Sequence, residues 1–79
     1  MKPAVTLAVT VLALVSARAD RCVSMLARID AAAASTRLSP AQAAELDRLR
    51  EEGRALCDQG DDQRAVERLA EAELILGLR

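Results

Sequence analysis

An uncharged apolar run near the start of the sequence decides how much of the chain is left to fold. Ala4–Ala17 holds only Ala, Val, Leu, Thr and Ser, follows a start that carries Lys2, and is followed by Arg18 and Ala19. A positive start, an apolar middle and small residues one and three positions before a cut site are typical of a secretory signal peptide. We therefore predict a signal helix and signal peptide over residues 1–19, cleavage between Ala19 and Asp20, and a mature domain over residues 20–79.

Two other interpretations of this run, an uncleaved membrane anchor and a cytosolic helix, fit it less well. A membrane-spanning helix needs about 20 apolar residues, whereas this run stops at Arg18. Lipid attachment at Cys22 is disfavoured because Asp20 and Arg21, rather than small apolar residues, precede it. We expect membrane contact only transiently, through the signal peptide.

The composition of the mature chain excludes several function classes. Without Lys2 and Arg18 the formal net charge changes from −1 to −3, and the sequence contains no Trp, Tyr, Phe or His. Nucleic-acid binding is therefore not expected, because there is neither a basic surface nor an aromatic ring for base stacking. A nucleophile activated by histidine is also absent, so we expect no enzyme activity.

Two cysteines provide the constraint that a domain of this size needs. A domain of about 60 residues buries only about 60% of the surface that its unfolded chain exposes, so its core alone is expected to be marginal. An exported chain meets an oxidising compartment, and Cys22 and Cys57 allow a single intramolecular pairing. We predict a structural disulfide between them; intermolecular or free thiols and a redox pair are the alternatives, the last disfavoured by the wide spacing.

Apolar residues at spacings of three and four indicate three helices after the signal peptide. The first covers Asp20 to about Thr36, and the second begins at Ser39-Pro40-Ala41-Gln42, which has the form of a capping box. The second ends near Gly60, and Asp61 or Asp62 begins the third, which runs to about Leu76 or Gly77. The inner faces are expected to hold Cys22, Met25, Leu26, Ile29 and Ala33, then Ala43, Leu46, Leu49, Gly53, Leu56 and Cys57, then Ala65, Val66, Leu69, Ala72 and Leu76.

The disulfide and the helices predict one another. In an antiparallel hairpin, residues that face each other lie equally far from the turn, and positions 22 and 57 are centred on the Ser39-Pro40 turn. We therefore predict an all-α, three-helix up-down-up mini-domain, in which a third helix folds back against a disulfide-locked helical hairpin.

The second half of the chain resembles a tetratricopeptide repeat. Residues 46–79 have the 34-residue length of one repeat, and Leu49, Gly53 and Leu56 stand where its pattern has Trp, Gly and Tyr. The sequence departs from that pattern at Glu52, at both aromatic positions and at Gly77, where the repeat has its closing proline. The resemblance implies a helical hairpin of the repeat type, in a single copy without the concave groove of a stacked array. Further positions that match the repeat pattern are Gln59-Gly60-Asp61 at the turn between its helices, and Ala65, Leu69 and Ala72 in its second helix.

The remaining polar clusters do not indicate a cofactor. Asp58, Asp61 and Asp62 surround Gly60, but their spacing differs from that of a calcium loop, and capping of the helix ends explains them better. Two lone cysteines cannot complete a zinc site without histidine. We expect no metal and no cofactor, and we expect the charged face of the second helix to be a solvated surface.

Apolar residues near the end of the chain suggest a contact site. Leu74, Ile75 and Leu78 lie off or at the edge of the inner face of the third helix; they either mark a contact with a partner or a second copy, or fold over the core. The favoured function is a small exported protein-interaction module, and the alternative is an inhibitor or effector that acts directly on a target protein. The scarcity of Lys and the many Ala, Leu and Arg are typical of GC-rich bacterial genomes, so we expect a periplasmic location first and secretion second.

Overall fold

The computed structural model of the protein describes residues 21–79, and this part of the chain is entirely helical. The predicted signal peptide and its cut between Ala19 and Asp20 lie outside the described residues. Helix α1 covers residues 21–35, α2 covers Pro40–Asp58 and α3 covers Asp62–Ile75. The all-α, three-helix prediction is confirmed. None of the helices described between residues 21 and 79 is both long and apolar enough to cross a membrane.

Local side chains set the helix ends where the sequence predicts them. The Ser39 hydroxyl accepts a hydrogen bond from the Gln42 backbone N–H, and the Gln42 side chain accepts one from the Ser39 N–H. Asp61 begins α3 by accepting a hydrogen bond from the Arg64 N–H. Gly60, with φ +79°, makes the turn between α2 and α3 in a conformation that favours glycine.

Helix α1 runs antiparallel to α2. The Cys22–Cys57 disulfide joins the start of α1 to the end of α2, with the two Cα atoms 6.1 Å apart. Farther along, Arg50 donates to both carboxylate oxygens of Asp30 at 2.6 and 2.9 Å. Both pairs are centred on the turn at Ser39, so the chain closes with the register that the cysteine spacing predicts.

All three helices contribute to one small core. The predicted inner faces are largely confirmed, although Ala43, Leu56 and Val66 are only half-buried because they lie at the edges of those faces. Met25, Leu26, Ala33 and Cys57 pack around the core from its margin. The buried apolar cluster consists of Ile29, Leu46, Leu49, Leu69, Ala72 and Leu76.

Gly53 allows α2 and α3 to approach closely. It is buried, and a Cβ atom built on it would overlap Cδ2 of Leu69 and lie 2.7 Å from its Cγ. Leu69 itself is fully buried, so its side chain has little room to move aside. The absence of a side chain at position 53 is therefore a packing requirement of the hairpin.

Candidate functional site

The most exposed large apolar side chains of α3 and the residues after it are Leu74 and Leu78, which we call the leucine patch. Their exposed fractions are 61% and 37%. Ile75, which the sequence groups with them, is half-buried and packs against the core. Of the three predicted contact residues, the structure therefore leaves two as a surface and assigns the third to packing.

A backbone turn at the end of α3 positions Leu78. The Gly77 N–H donates to the Leu74 carbonyl at 3.1 Å, and the Leu78 N–H donates to the Glu73 carbonyl at 2.9 Å. Gly77 has φ +74°, the left-handed conformation that this pair of hydrogen bonds requires. Leu76 is buried in the core at this turn, whereas Leu74 before it and Leu78 after it are exposed.

Acidic side chains lie beside the leucine patch. Glu71 and Glu67 precede Leu74 by three and seven residues, spacings that place them on the same face of α3. Glu71 pairs with Arg68 at 2.8 Å, and this hydrogen bond raises the pKa of Arg68. Glu67 forms no close salt bridge among residues 21–79, but its charge also raises the pKa of Arg68. The exposed face of α3 therefore has an apolar end next to the charge of Glu67 and to the ion pair of Glu71 with Arg68.

Glu73 lies on the opposite side of the helix and is almost completely buried, with 1% of its surface exposed. Arg79 Nε donates to Glu73 Oε1 at 2.9 Å, and Arg28 of α1 approaches Oε2 at 3.5 Å. Oε2 has no hydrogen-bond partner within the described residues. This carboxylate connects α1, α3 and the closing turn behind the leucine patch. Sequence reasoning missed it, although its position three residues before Leu76 on the inner face was a usable signal.

Removing both arginines around Glu73 is expected to destabilise the domain. In Arg28→Ala/Arg79→Ala the buried carboxylate loses both countercharges, and we expect the free energy of unfolding to fall by about 2 kcal/mol. The same double change in a Glu73→Met background should cost much less, because no buried charge remains. Urea unfolding followed by circular dichroism measures both.

A matched control is Arg54→Ala/Arg64→Ala, which removes two exposed arginines that pair with neighbours on their own helices or caps. Exposed pairs contribute roughly 0–1 kcal/mol each, so this variant should stay close to the wild type. Equal losses in the two double variants would contradict a special role for Glu73.

The charged face of α2 forms exposed ion pairs, as its sequence predicts. Arg48 pairs with Glu45 and with Glu52, the latter at 2.6 Å, and Arg68 of α3 approaches Glu52 at 3.5 Å. Hydrogen bonding to Glu45 raises the pKa of Arg48. Because these charges are paired with one another and exposed, the face has the character of a solvated surface.

The three aspartates around Gly60 have different surroundings. Asp61 caps α3, Asp58 approaches Arg54 at 3.8 Å, and Asp62 Oδ1 lies 4.0 Å from Cys22 Sγ. Within residues 21–79 no group of three or more His, Cys, Asp or Glu side chains is arranged to hold a metal ion. An open groove of about 490 Å³ beside Asp62 is lined by Arg21, Gly60, Asp62, Gln63, Val66 and Glu67.

Comparison of the chain with protein families, curated proteins and solved structures finds no match.

Proposed function

We propose that this protein is a small exported helical module that binds another protein through the leucine patch and performs no catalysis. The observation that carries the proposal is the pair of exposed leucines, Leu74 and Leu78, at the end of α3. On the opposite side of this helix end, the buried Glu73 accepts a hydrogen bond from Arg79. Exposed apolar side chains on a rigid support are typical of contact sites.

The proposed partner surface is an apolar helix or strand flanked by basic residues. Leu74 and Leu78 offer apolar contact, while Glu67 adds negative charge on the same face of the helix and Glu71 is already paired with Arg68. Charge complementarity of this kind favours a partner with Lys or Arg beside its apolar residues. The net charge of −3 for residues 20–79 also favours a partner with basic residues.

We further propose that residues 1–19 direct the chain to the periplasm, with secretion as the alternative, and that cleavage follows Ala19. The apolar run before Arg18 supports export, and the Cys22–Cys57 disulfide is compatible with an oxidising compartment. Edman sequencing or intact mass of the protein purified from the periplasm should give Asp20 as the first residue. A first residue of Met1 would contradict the signal-peptide proposal.

The α2–α3 hairpin is proposed to pack in the manner of a tetratricopeptide repeat. The close contact between Gly53 and Leu69 supports this, since both occupy matched positions of the repeat pattern. Helix α1, fastened by the disulfide, then covers one side of the hairpin as a capping helix. A single covered hairpin has no stacked groove, which is why the proposed binding surface is the end of α3.

Substitution of the leucine patch tests the proposal. In Leu74→Ser/Leu78→Ser, cross-linked capture from the native periplasm under non-reducing conditions should recover at least tenfold less of the partner than the wild type. Helicity should be unchanged because both side chains are exposed. The matched control is Val23→Ser, which changes an exposed apolar residue of α1 and should leave capture intact.

Two outcomes would overturn the proposal. One is recovery of the wild-type protein alone at monomer mass, which would favour an inhibitor or effector whose target lies outside the cell. The other is equal capture by the wild type and the leucine variant, which would place the contact elsewhere. Loss of capture in Val23→Ser as well would assign the effect to general apolar adhesion and also contradict the proposal.

A further inference from the structure

We propose that Asp62 protects the Cys22–Cys57 disulfide against reduction by external thiols. Asp62 Oδ1 lies 4.0 Å from Cys22 Sγ, although 40 residues separate the two positions. A disulfide sulfur carries no proton, so the contact is not a hydrogen bond. It places a carboxylate directly beside the sulfur that would become negatively charged if the bond were broken.

The two cysteines differ in exposure, and we infer from this difference which sulfur an external thiol reaches first. Cys22 is only 6% exposed, whereas Cys57 is half-buried at the edge of the core. A thiolate from solvent therefore attacks Cys57 Sγ and forms a mixed disulfide there. The bond between the two cysteines breaks, and its electron pair leaves with Cys22 as a thiolate. A second thiolate then attacks the external sulfur of the mixed disulfide, which releases Cys57 and yields the oxidised reductant.

Charge beside the leaving sulfur controls the first step. A thiolate leaves more slowly when its environment raises its energy. The departing Cys22 thiolate would face Asp62 across 4.0 Å, and like charges at this distance repel. The start of α3 would otherwise act in the opposite direction, because helix N-termini stabilise thiolates. Asp62, in the first turn of α3, offsets that effect and makes the disulfide harder to reduce.

Arg21 and Asp61 are the charged residues next to Cys22 and Asp62 in the chain. Arg21 is the chain neighbour of Cys22 and lines the groove beside Asp62, and it favours the thiolate. Asp61 lies next to Asp62 in the chain, but its carboxylate caps α3 by accepting from the Arg64 N–H and pairs with the Arg64 side chain at 3.6 Å. The two aspartates carry equal charge, but it is Asp62 that contacts Cys22 Sγ, so Asp61 is the matched control.

The test is the rate of reduction by dithiothreitol of folded Asp62→Asn, Asp61→Asn and wild-type protein at low salt. Alkylation of the released thiols and mass spectrometry follow the reaction. We expect Asp62→Asn to be reduced about five- to tenfold faster than the wild type, consistent with removal of a like charge beside the leaving group. Asp61→Asn, in which asparagine keeps the cap, should stay within about twofold.

Two further measurements separate this electrostatic effect from a loss of fold. Asp62→Glu keeps the charge and should retain the slow rate, and added salt should narrow the difference between Asp62→Asn and the wild type. Mixed disulfide trapped with glutathione should map to Cys57. Equal rates for Asp62→Asn and the wild type, equal acceleration in Asp61→Asn, or trapping at Cys22 would overturn the proposal.

Discussion

Replacing both cysteines by serine is expected to leave the mature domain largely unfolded at 25 °C. The disulfide closes a loop with a sequence separation of 35 residues, for which chain entropy predicts a stabilisation of about 4 kcal/mol. A single small core rarely supplies more than about 3–5 kcal/mol in total, so losing the bridge removes most of the net stability. Circular dichroism of Cys22→Ser/Cys57→Ser should show reduced helicity and an early, broad transition in urea.

The remaining contacts of α1 determine how that loss is distributed. Without the disulfide, α1 is held by the buried Ile29 and by ion pairs such as Asp30–Arg50. The hydrogen bond from Arg50 lowers the pKa of Asp30, so this pair contributes at neutral pH and is lost as the pH falls through that lowered value. In the variant, we therefore expect the backbone amides of α1 to lose their protection from hydrogen exchange before those of α2 and α3.

The wild-type protein under full reduction is the matched control and should behave like the double-serine variant. An unfolding midpoint for the variant equal to that of the oxidised wild type would contradict the predicted dependence on the disulfide.

Filling the space at position 53 is expected to have the next largest effect. Gly53→Ala gains up to about 1 kcal/mol of helix propensity. Its Cβ, however, would overlap Leu69 Cδ2 in a buried setting, and overpacking of this kind costs roughly 1–3 kcal/mol. We expect a net loss of stability in urea unfolding, in contrast to the gain that the same substitution gives on an open helix surface.

A double-mutant cycle identifies the cause. Leu69→Ala alone should cost about 2–5 kcal/mol because it leaves a cavity in the core. Adding Gly53→Ala to that variant should restore stability, since the new methyl group then occupies vacated space. Additive losses would show that the close approach of α2 and α3 at this position does not determine the cost.

Much of the fold could be predicted from local signals in the sequence. The capping box at Ser39 and the turn at Gly60 define helix ends, because each depends on residues within one helical turn. The pairing of Cys22 with Cys57 follows because two cysteines allow one intramolecular bridge. Apolar spacing also predicted the inner faces, apart from edge positions such as Val66.

The candidate site could be predicted only in part. Spacing indicated that apolar residues near the end of the chain lie off the core, but it could not separate Leu74 from Ile75, which are adjacent in sequence. The difference in burial between Leu74 and Ile75 depends on how the chain turns after Ile75 and on which side of α3 the core lies. The apolar pattern also overlooked Glu73, because a charged residue is assigned to the surface unless its countercharges are known.

The sequence by itself determined the three helices, their ends and the disulfide pairing, since these depend on backbone hydrogen bonds within a turn and on a count of two cysteines. Only the tertiary structure decided that Glu73 is buried between Arg28 and Arg79. The same is true of the close packing of Leu69 against Gly53 and of the position of Asp62 beside Cys22. Each of these contacts joins different elements of the fold. Their energies depend on distance and burial, which arise only when the helices pack together.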